Sequence, residues 1–398
     1  MKFAKRMGRL GTETAFEVLA KARKLEAEGR NIVHLEIGEP DFDTPAFIVE
    51  AAVQALRRGR THYSPAAGIP ELRRAIAEEI NRTRGLALKP ENVVITPGAK
   101  PIMFFALLAL IDPDDEVIYP NPGFPIYESV IEFSGARAMP LPLQEEKGFR
   151  FDIADLEKLI TNRTRMIVMN TPQNPTGGML TREDVRAIAD IARRQDLWIL
   201  SDEIYKQIIY EGEHASILSE PDILERTILL DGFSKTYAMT GWRLGYGVMP
   251  ESLAKHAERL MINSNSCTAT FVQDAGVAAL QGPSGEVENF IKEFRRRRDL
   301  MVAGLNDIKG VSCITPGGAF YCFANVKKLA WDCKKLSDYL LTEAGVAVLS
   351  GTAFGKFGEG YIRLSYATSP ENIREGLRRM KKAIATLPQQ REQCFVRD

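Results

Sequence analysis

The chain has 398 residues, with 31 glycines, 21 prolines, 45% hydrophobic and 26% charged residues, proportions that fit a folded globular protein and exclude disorder, collagen and low-complexity architectures. At about 150 residues per domain this length holds two to three domains, or one large domain with a smaller companion. Its 52 Lys and Arg balance 52 Asp and Glu, so no global field draws nucleic acid or an anionic membrane, and any anion site must be built locally.

The opening MKFAKRMGRLGTETAF has no apolar signal segment. Residues 12–29 read as a first helix that packs near the C-terminal part of the chain. From about residue 45 to 250, amphipathic helical stretches alternate with short apolar runs, the βαβ rhythm of a largely parallel sheet. Five runs predict strands: residues 93–96, 116–119, 166–169, 197–200 and 227–230. Each leads directly into a polar or glycine-rich loop, and ligands in open α/β sheets sit at such carboxyl ends. The longest apolar run, residues 102–111, is far short of the roughly 18 residues a membrane span needs. After about residue 285 come a long charged helix over 286–306, short strands around 319–326 and 361–365, and a closing helix from Pro370. The expected fold is therefore α/β. Residues 45–285 form a large domain with a mostly parallel sheet flanked by helices, and residues 1–44 and 286–398 an N-terminal arm plus a smaller α+β domain. Arg295 to Arg298 are consecutive on a helix, so they encircle it instead of forming one basic stripe, and read as a solvated face.

No dinucleotide fingerprint, P-loop or serine-hydrolase elbow occurs, and His34, His62, His214 and His256 are too scattered to suggest a metal site. Cys267, Cys313, Cys322, Cys333 and Cys394 make no C-x-x-C pair, which predicts free thiols in a reducing, cytoplasmic compartment.

The chemistry lies in the loops. Gly98-Ala99-Lys100 joins a strand to a helix opening with Pro101, a turn that either cradles phosphate on backbone N–H groups or uses glycine for packing alone. Asp202 ends a buried strand, where a carboxylate needs a cation unless it serves as a helix N-cap. Tyr205 follows three residues on. Lys235 ends the fifth loop, either as a reactive amine or as an exposed helix-start lysine, and Arg243 lies eight residues beyond. Together a strand-end Lys, a strand-end Asp, a Tyr, an Asn loop, a phosphate turn and an Arg match what pyridoxal 5'-phosphate requires.

The same combination resembles the class I aminotransferases of pyridoxal-phosphate fold type I, in particular the aspartate aminotransferase-like branch. The motifs that carry it span nearly the whole chain: Gly38-Glu39-Pro40-Asp41-Phe42, Tyr63-Ser64-Pro65, Asn174-Pro175-Thr176-Gly177, Ser201-Asp202-Glu203-Ile204-Tyr205, Ser234-Lys235-Thr236-Tyr237-Ala238-Met239-Thr240-Gly241-Trp242-Arg243 and Arg363-Leu364-Ser365-Tyr366-Ala367. The resemblance implies that Lys235 attaches the cofactor, Asp202 pairs with its pyridine nitrogen, and Tyr205 and Asn174 hydrogen-bond its phenolate oxygen. By the same likeness Arg243 with the Ala99 and Lys100 amides holds the phosphate, Tyr63 enters from the neighbouring subunit of a homodimer, and Phe124 stacks on the ring. Gly38, Asn174 and Arg363 would bind the substrate α-carboxylate, and Lys100 a distal carboxylate. That implies ping-pong transamination of an L-amino acid and a 2-oxo acid, with aspartate and 2-oxoglutarate as the expected pair. Three positions depart from the family: Phe124 replaces Trp or Tyr, Gly232 replaces a phosphate-binding Ser three before the lysine, and Ala15 replaces a Thr near the distal carboxylate. Asn263 and Asn265 are candidates to contribute there. Fold type I also hosts lyases, and aminotransferase-like modules occur in transcription regulators, but the first family-like helix begins too early here to leave room for a DNA-binding module.

Overall fold

The computed structural model describes residues 2–387, so Cys394 lies outside the described residues. Its centre is a seven-stranded sheet of β1 (Val93–Thr96), β2 (Glu116–Asn121), β3 (Arg137–Pro142), β4 (Thr164–Asn170), β5 (Trp198–Asp202), β6 (Thr227–Gly232) and β7 (Gly245–Val248), in the spatial order β1-β7-β6-β5-β4-β2-β3. Six strands run the same way, and β7 lies antiparallel between β1 and β6.

The five apolar runs are all strands of this sheet. They read as continuous apolar stretches because helices cover both faces, and alternate residues serve the two sides. Val94, Val117, Met166, Val168, Leu200 and Ile228 pack with helices Lys100–Leu110, Ile126–Ser134 and Glu251–Ser264. Ile95, Ile118, Ile167, Ile199 and Leu229 pack with Ala46–Arg57, Pro70–Arg84, Arg182–Gln195 and Thr270–Gln281 on the other. Two strands have no apolar run to announce them. β3 is an edge strand containing Pro140 and Pro142, tolerated there because an edge needs half the ladder bonds. β7 begins Gly245-Tyr246-Gly247, and its glycines make room for neighbours: a Cβ at Gly245 would collide with the Gly98–Ala99 backbone, and one at Gly247 would meet Ile102 at 2.8 Å.

Residues beyond the sheet build a second core. The 22-residue helix Gly285–Asn306, helices Cys333–Thr342 and Pro370–Ala385, and an antiparallel sheet of β8 (Tyr321–Asn325), β9 (Leu349–Ser350) and β10 (Tyr361–Ser365) enclose Phe294, Met301, Leu305, Phe320, Leu336 and Ile362. The opening helix runs Thr14–Ala27, and Val33–His34 pairs in parallel with Val346–Ala347, which ties the N-terminal segment to this layer. Tyr205 and Tyr210, just past β5, belong to the same core.

One expectation fails in this layer. Of the four consecutive arginines, Arg295 and Arg296 are exposed but Arg297 and Arg298 are buried. Arg297 donates to Asp41 Oδ1 at 2.6 Å and Glu293 Oε1 at 2.8 Å and lies over the Phe42 ring. Arg298 donates to the Pro316 carbonyl at 3.1 Å and lies over the Tyr210 ring. The helix turns half its arginine belt inward because carboxylates, a carbonyl and aromatic faces wait there to satisfy it.

Candidate active site

The carboxyl ends of β1, β2, β4, β5 and β6 open on one cleft of about 430 Å³, whose remaining walls come from Glu13 to Phe16, Gly38, Tyr321, Phe354 and Arg363. Gly38, Ala99, Lys100, Phe124, Asn174, Asp202, Tyr205, Lys235, Arg243 and Arg363 all line it. Tyr63 does not: it is 88% exposed and borders a separate cleft with Arg60 and His62. Asn263 and Asn265 are exposed at the end of helix Glu251–Ser264, away from the cleft wall, which corrects their candidacy within their own chain.

Two opposite charges dominate the floor. Asp202 is 5% exposed. Its Oδ2 accepts from the Tyr127 hydroxyl at 2.7 Å and its Oδ1 from the Ile204 N–H at 3.2 Å, and among the described residues no cation pairs with it. Burial, only partly offset by the Tyr127 bond, pushes its carboxyl up to about 6. The next residue shows the contrast. Although burial acts against it too, Glu203 receives Arg84 and His214, each at 2.7 Å, and Ser216 at 2.8 Å, and is held well below the carboxylate range. Alternate side chains of an extended strand end thus face a cavity and a satisfied network. Lys235 Nζ donates to the Gly38 carbonyl at 2.6 Å. Burial pulls its ammonium down to about 8, against the pull of Glu39 and Glu13, so a neutral, nucleophilic fraction exists near physiological pH.

Above β1 the turn is an anion cradle. Helix Lys100–Leu110 starts with Pro101 in its first turn and no side chain caps its N-terminus, so its first N–H groups are free for an anion. Arg243, itself at φ +54°, donates Nη1 to the Thr240 carbonyl at 2.7 Å. Its Nη2 occupies the space where a Cβ of Gly98 would stand, and Gly98 has φ +87°, so only glycine fits that place. Gly232, where a family serine was expected, sits in β6 with Gly245 Cα 3.0 Å from any added Cβ; Ser234, next to Lys235, lines the cleft.

Opposite stands Arg363 on β10. Its Nη1 donates to Asn174 Oδ1 at 3.1 Å, its Nη2 to the Glu36 carbonyl, and its guanidinium lies 4.5 Å from the Tyr321 ring centroid. Its Nε is buried without a partner, so the guanidinium keeps donor capacity for an incoming group. The Tyr205 and Tyr321 hydroxyls are 2.7 Å apart. Phe124 packs edge-on against Tyr127, and Lys100 Nζ lies 5.4 Å from the Phe124 centroid while pairing with Glu13. Tyr127, Tyr321, Ser234 and Glu13 are cleft residues absent from the expectation. Tyr127 carries a signal, its spacing of three from Phe124; the approach of Tyr321 and Glu13 has none.

Comparison with known proteins agrees with this geometry. The family model described as aminotransferase class I and II matches residues 30–380. A probable aspartate/prephenate aminotransferase of Aquifex aeolicus is 41% identical, over 96% of this chain and 98% of that one. An aromatic-amino-acid aminotransferase of Thermococcus litoralis is 42% identical over 89% and 92%. The structure of Thermus thermophilus aspartate aminotransferase with maleate superposes with a TM-score of 0.92 at 38% identity, covering 96% of this chain and all of that one.

Proposed function

Because the chain belongs to the class I and II aminotransferases, which are pyridoxal-phosphate-dependent transaminases, we propose that it moves the amino group of an L-amino acid to a 2-oxo acid by a ping-pong mechanism, with aspartate and 2-oxoglutarate as its pair. The observation that carries the mechanism is the buried Asp202 carboxylate, unpaired by any cation among the described residues, in one cleft with Lys235, whose ammonium burial pulls down to about 8. A protonated pyridine nitrogen would supply the charge Asp202 lacks, and the Arg243 guanidinium packed on the Gly98 turn, beside the uncapped start of helix Lys100–Leu110, suits a phosphate, so the residues fit the cofactor.

When bound, pyridoxal phosphate supplies a carbonyl carbon that captures amines and a ring that withdraws electrons from Cα. Lys235 would hold the cofactor through its amine, and its Nζ, when free, would be the base that takes the proton from the substrate Cα and the acid that gives one back. Asp202 keeps the ring nitrogen protonated. Tyr205 and Asn174 would donate to the phenolate oxygen, Arg243 with the Ala99 and Lys100 amides would hold the phosphate, and Phe124 would form the aromatic wall. Arg363, steadied by Asn174 and Tyr321, would receive the α-carboxylate beside Gly38, and Lys100, in the same cleft, would meet a distal carboxylate. The exposed Tyr63 suits a homodimer in which it completes the neighbouring phosphate site. The four described cysteines are free, which supports a cytoplasmic location.

The test is a half-reaction panel. Aspartate should yield its 2-oxo acid once per site, and further turnover should require 2-oxoglutarate; elimination or decarboxylation without an acceptor would instead assign a lyase. Borohydride should trap the cofactor on the wild type, and Lys235→Ala should lose both trapping and about 10³-fold or more in turnover. Retained turnover in that variant overturns the reading.

A further inference from the structure

Glu13 and Glu39 are cleft charges still without a role, and of the two Glu13 pairs with a cleft cation. Glu13 immediately precedes helix Thr14–Ala27, where a side chain often turns back to cap free N–H groups, yet it makes no such bond. Its carboxylate turns into the cleft, only 18% exposed, and pairs with Lys100 Nζ. The charge also reaches the reaction centre: it opposes the fall of Lys235 and Arg363 and pushes Tyr321 up. Phe16, Phe124 and Phe354 line the same cleft, with Lys100 Nζ 5.4 Å from the Phe124 ring centroid.

We propose that Glu13 is a specificity-determining residue, an internal counter-ion that holds Lys100 until a dicarboxylic substrate displaces it. The inference rests on the aminotransferase reading and on Lys100 as the distal-carboxylate partner. A second carboxylate entering the cleft must break the Glu13–Lys100 pair and then lie beside a displaced negative charge. An uncharged or aromatic side chain leaves the pair intact and packs on Phe16 and Phe354. Glu13 thereby lowers the preference for acidic substrates without closing the site to them, so that one cleft accepts both classes in a ratio that this carboxylate sets.

The experiment measures binding by calorimetry on the holoenzyme, with succinate and 3-phenylpropionate as probes; neither has an amine to react. Glu13→Gln should tighten succinate relative to 3-phenylpropionate by about tenfold or more, the scale of one charge-assisted hydrogen bond. Lys100→Ala should move the same ratio the other way, and adding Glu13→Gln to Lys100→Ala should shift it by no more than about threefold. A role confined to anchoring the N-terminal helix would weaken both ligands together, and that result, like an unmoved ratio, overturns the proposal. If Lys100→Ala shifts the ratio and Glu13→Gln does not, Glu13 alone loses its role. If neither does, the assignment of Lys100 falls with it. Absence of any 2-oxo-acid-dependent turnover would refute the aminotransferase reading separately.

Discussion

Asp202→Asn should act with opposite sign on the apoprotein and the holoprotein. In the cleft without a cation, burial raises Asp202 from 3.8 to about 6. The unfolded chain releases this proton near the lower value and the folded chain near the higher one, so stability falls as pH rises between them. The full penalty, at most about 3 kcal/mol, is present from pH 7 upward. Asparagine has no charge to bury and can still accept from the Ile204 N–H and meet the Tyr127 hydroxyl. The variant apoprotein should therefore be more stable than wild-type apoprotein at pH 7.5, by about 1 to 3 kcal/mol, with the difference fading toward pH 4.5. With pyridoxal phosphate bound the order should invert, because the variant no longer holds the ring nitrogen protonated, and turnover should fall by about 10²- to 10⁴-fold. Urea unfolding of both forms at pH 4.5, 6 and 7.5, with cofactor titration, checks each part. An apo variant less stable than wild type at pH 7.5, or a difference that ignores pH, would refute the claim that Asp202 is a buried charge awaiting a cation.

Gly98→Ala should raise the dissociation constant of pyridoxal phosphate, read by titrating the apoprotein. It forces a side chain into a positive-φ position at a cost of about 1 to 2 kcal/mol and displaces Arg243; unchanged affinity would remove the cradle. Tyr63→Ala should weaken cofactor retention although Tyr63 lies outside its own cleft, and sedimentation should give a dimer. A fully active monomer at assay concentration would exclude its entry into a neighbouring site. Lys100→Ala should lower kcat/KM for aspartate relative to alanine by about ten- to a hundredfold, the worth of one charge-assisted hydrogen bond. Equal losses for the two donors would show that Lys100 reads no distal carboxylate.

The reaction chemistry was more legible in the sequence than the substrate preference, for a reason visible in particular residues. Asp202 ends, and Asn174 and Lys235 closely follow, a strand that is buried on both faces, so an apolar run and the loop behind it announce both the element and its site end. That grammar is local, and it survives even though β3 and β7 went unannounced, since their prolines and glycines answer to an edge and to close neighbours. Side chains brought in by the second core obey no such grammar. The Tyr205–Tyr321 contact joins residues 116 apart, Arg363 meets Asn174 across 189, and Glu13 meets Lys100 across 87. For Arg363 the family motif substitutes for the missing local signal; for Tyr321 and Glu13 no motif does. The inward turn of Arg297 and Arg298 has the same origin, because their partners Asp41 and Pro316 reach them only in the folded chain. Asp202, Asn174 and Lys235 thus lie at or just past strand ends of the large sheet, while Glu13, Tyr321 and Arg363 reach the cleft from the N-terminal segment and the C-terminal layer. A change at Ala15 or Glu13, which both line the cleft, is therefore expected to redirect preference while every strand-end motif stays intact.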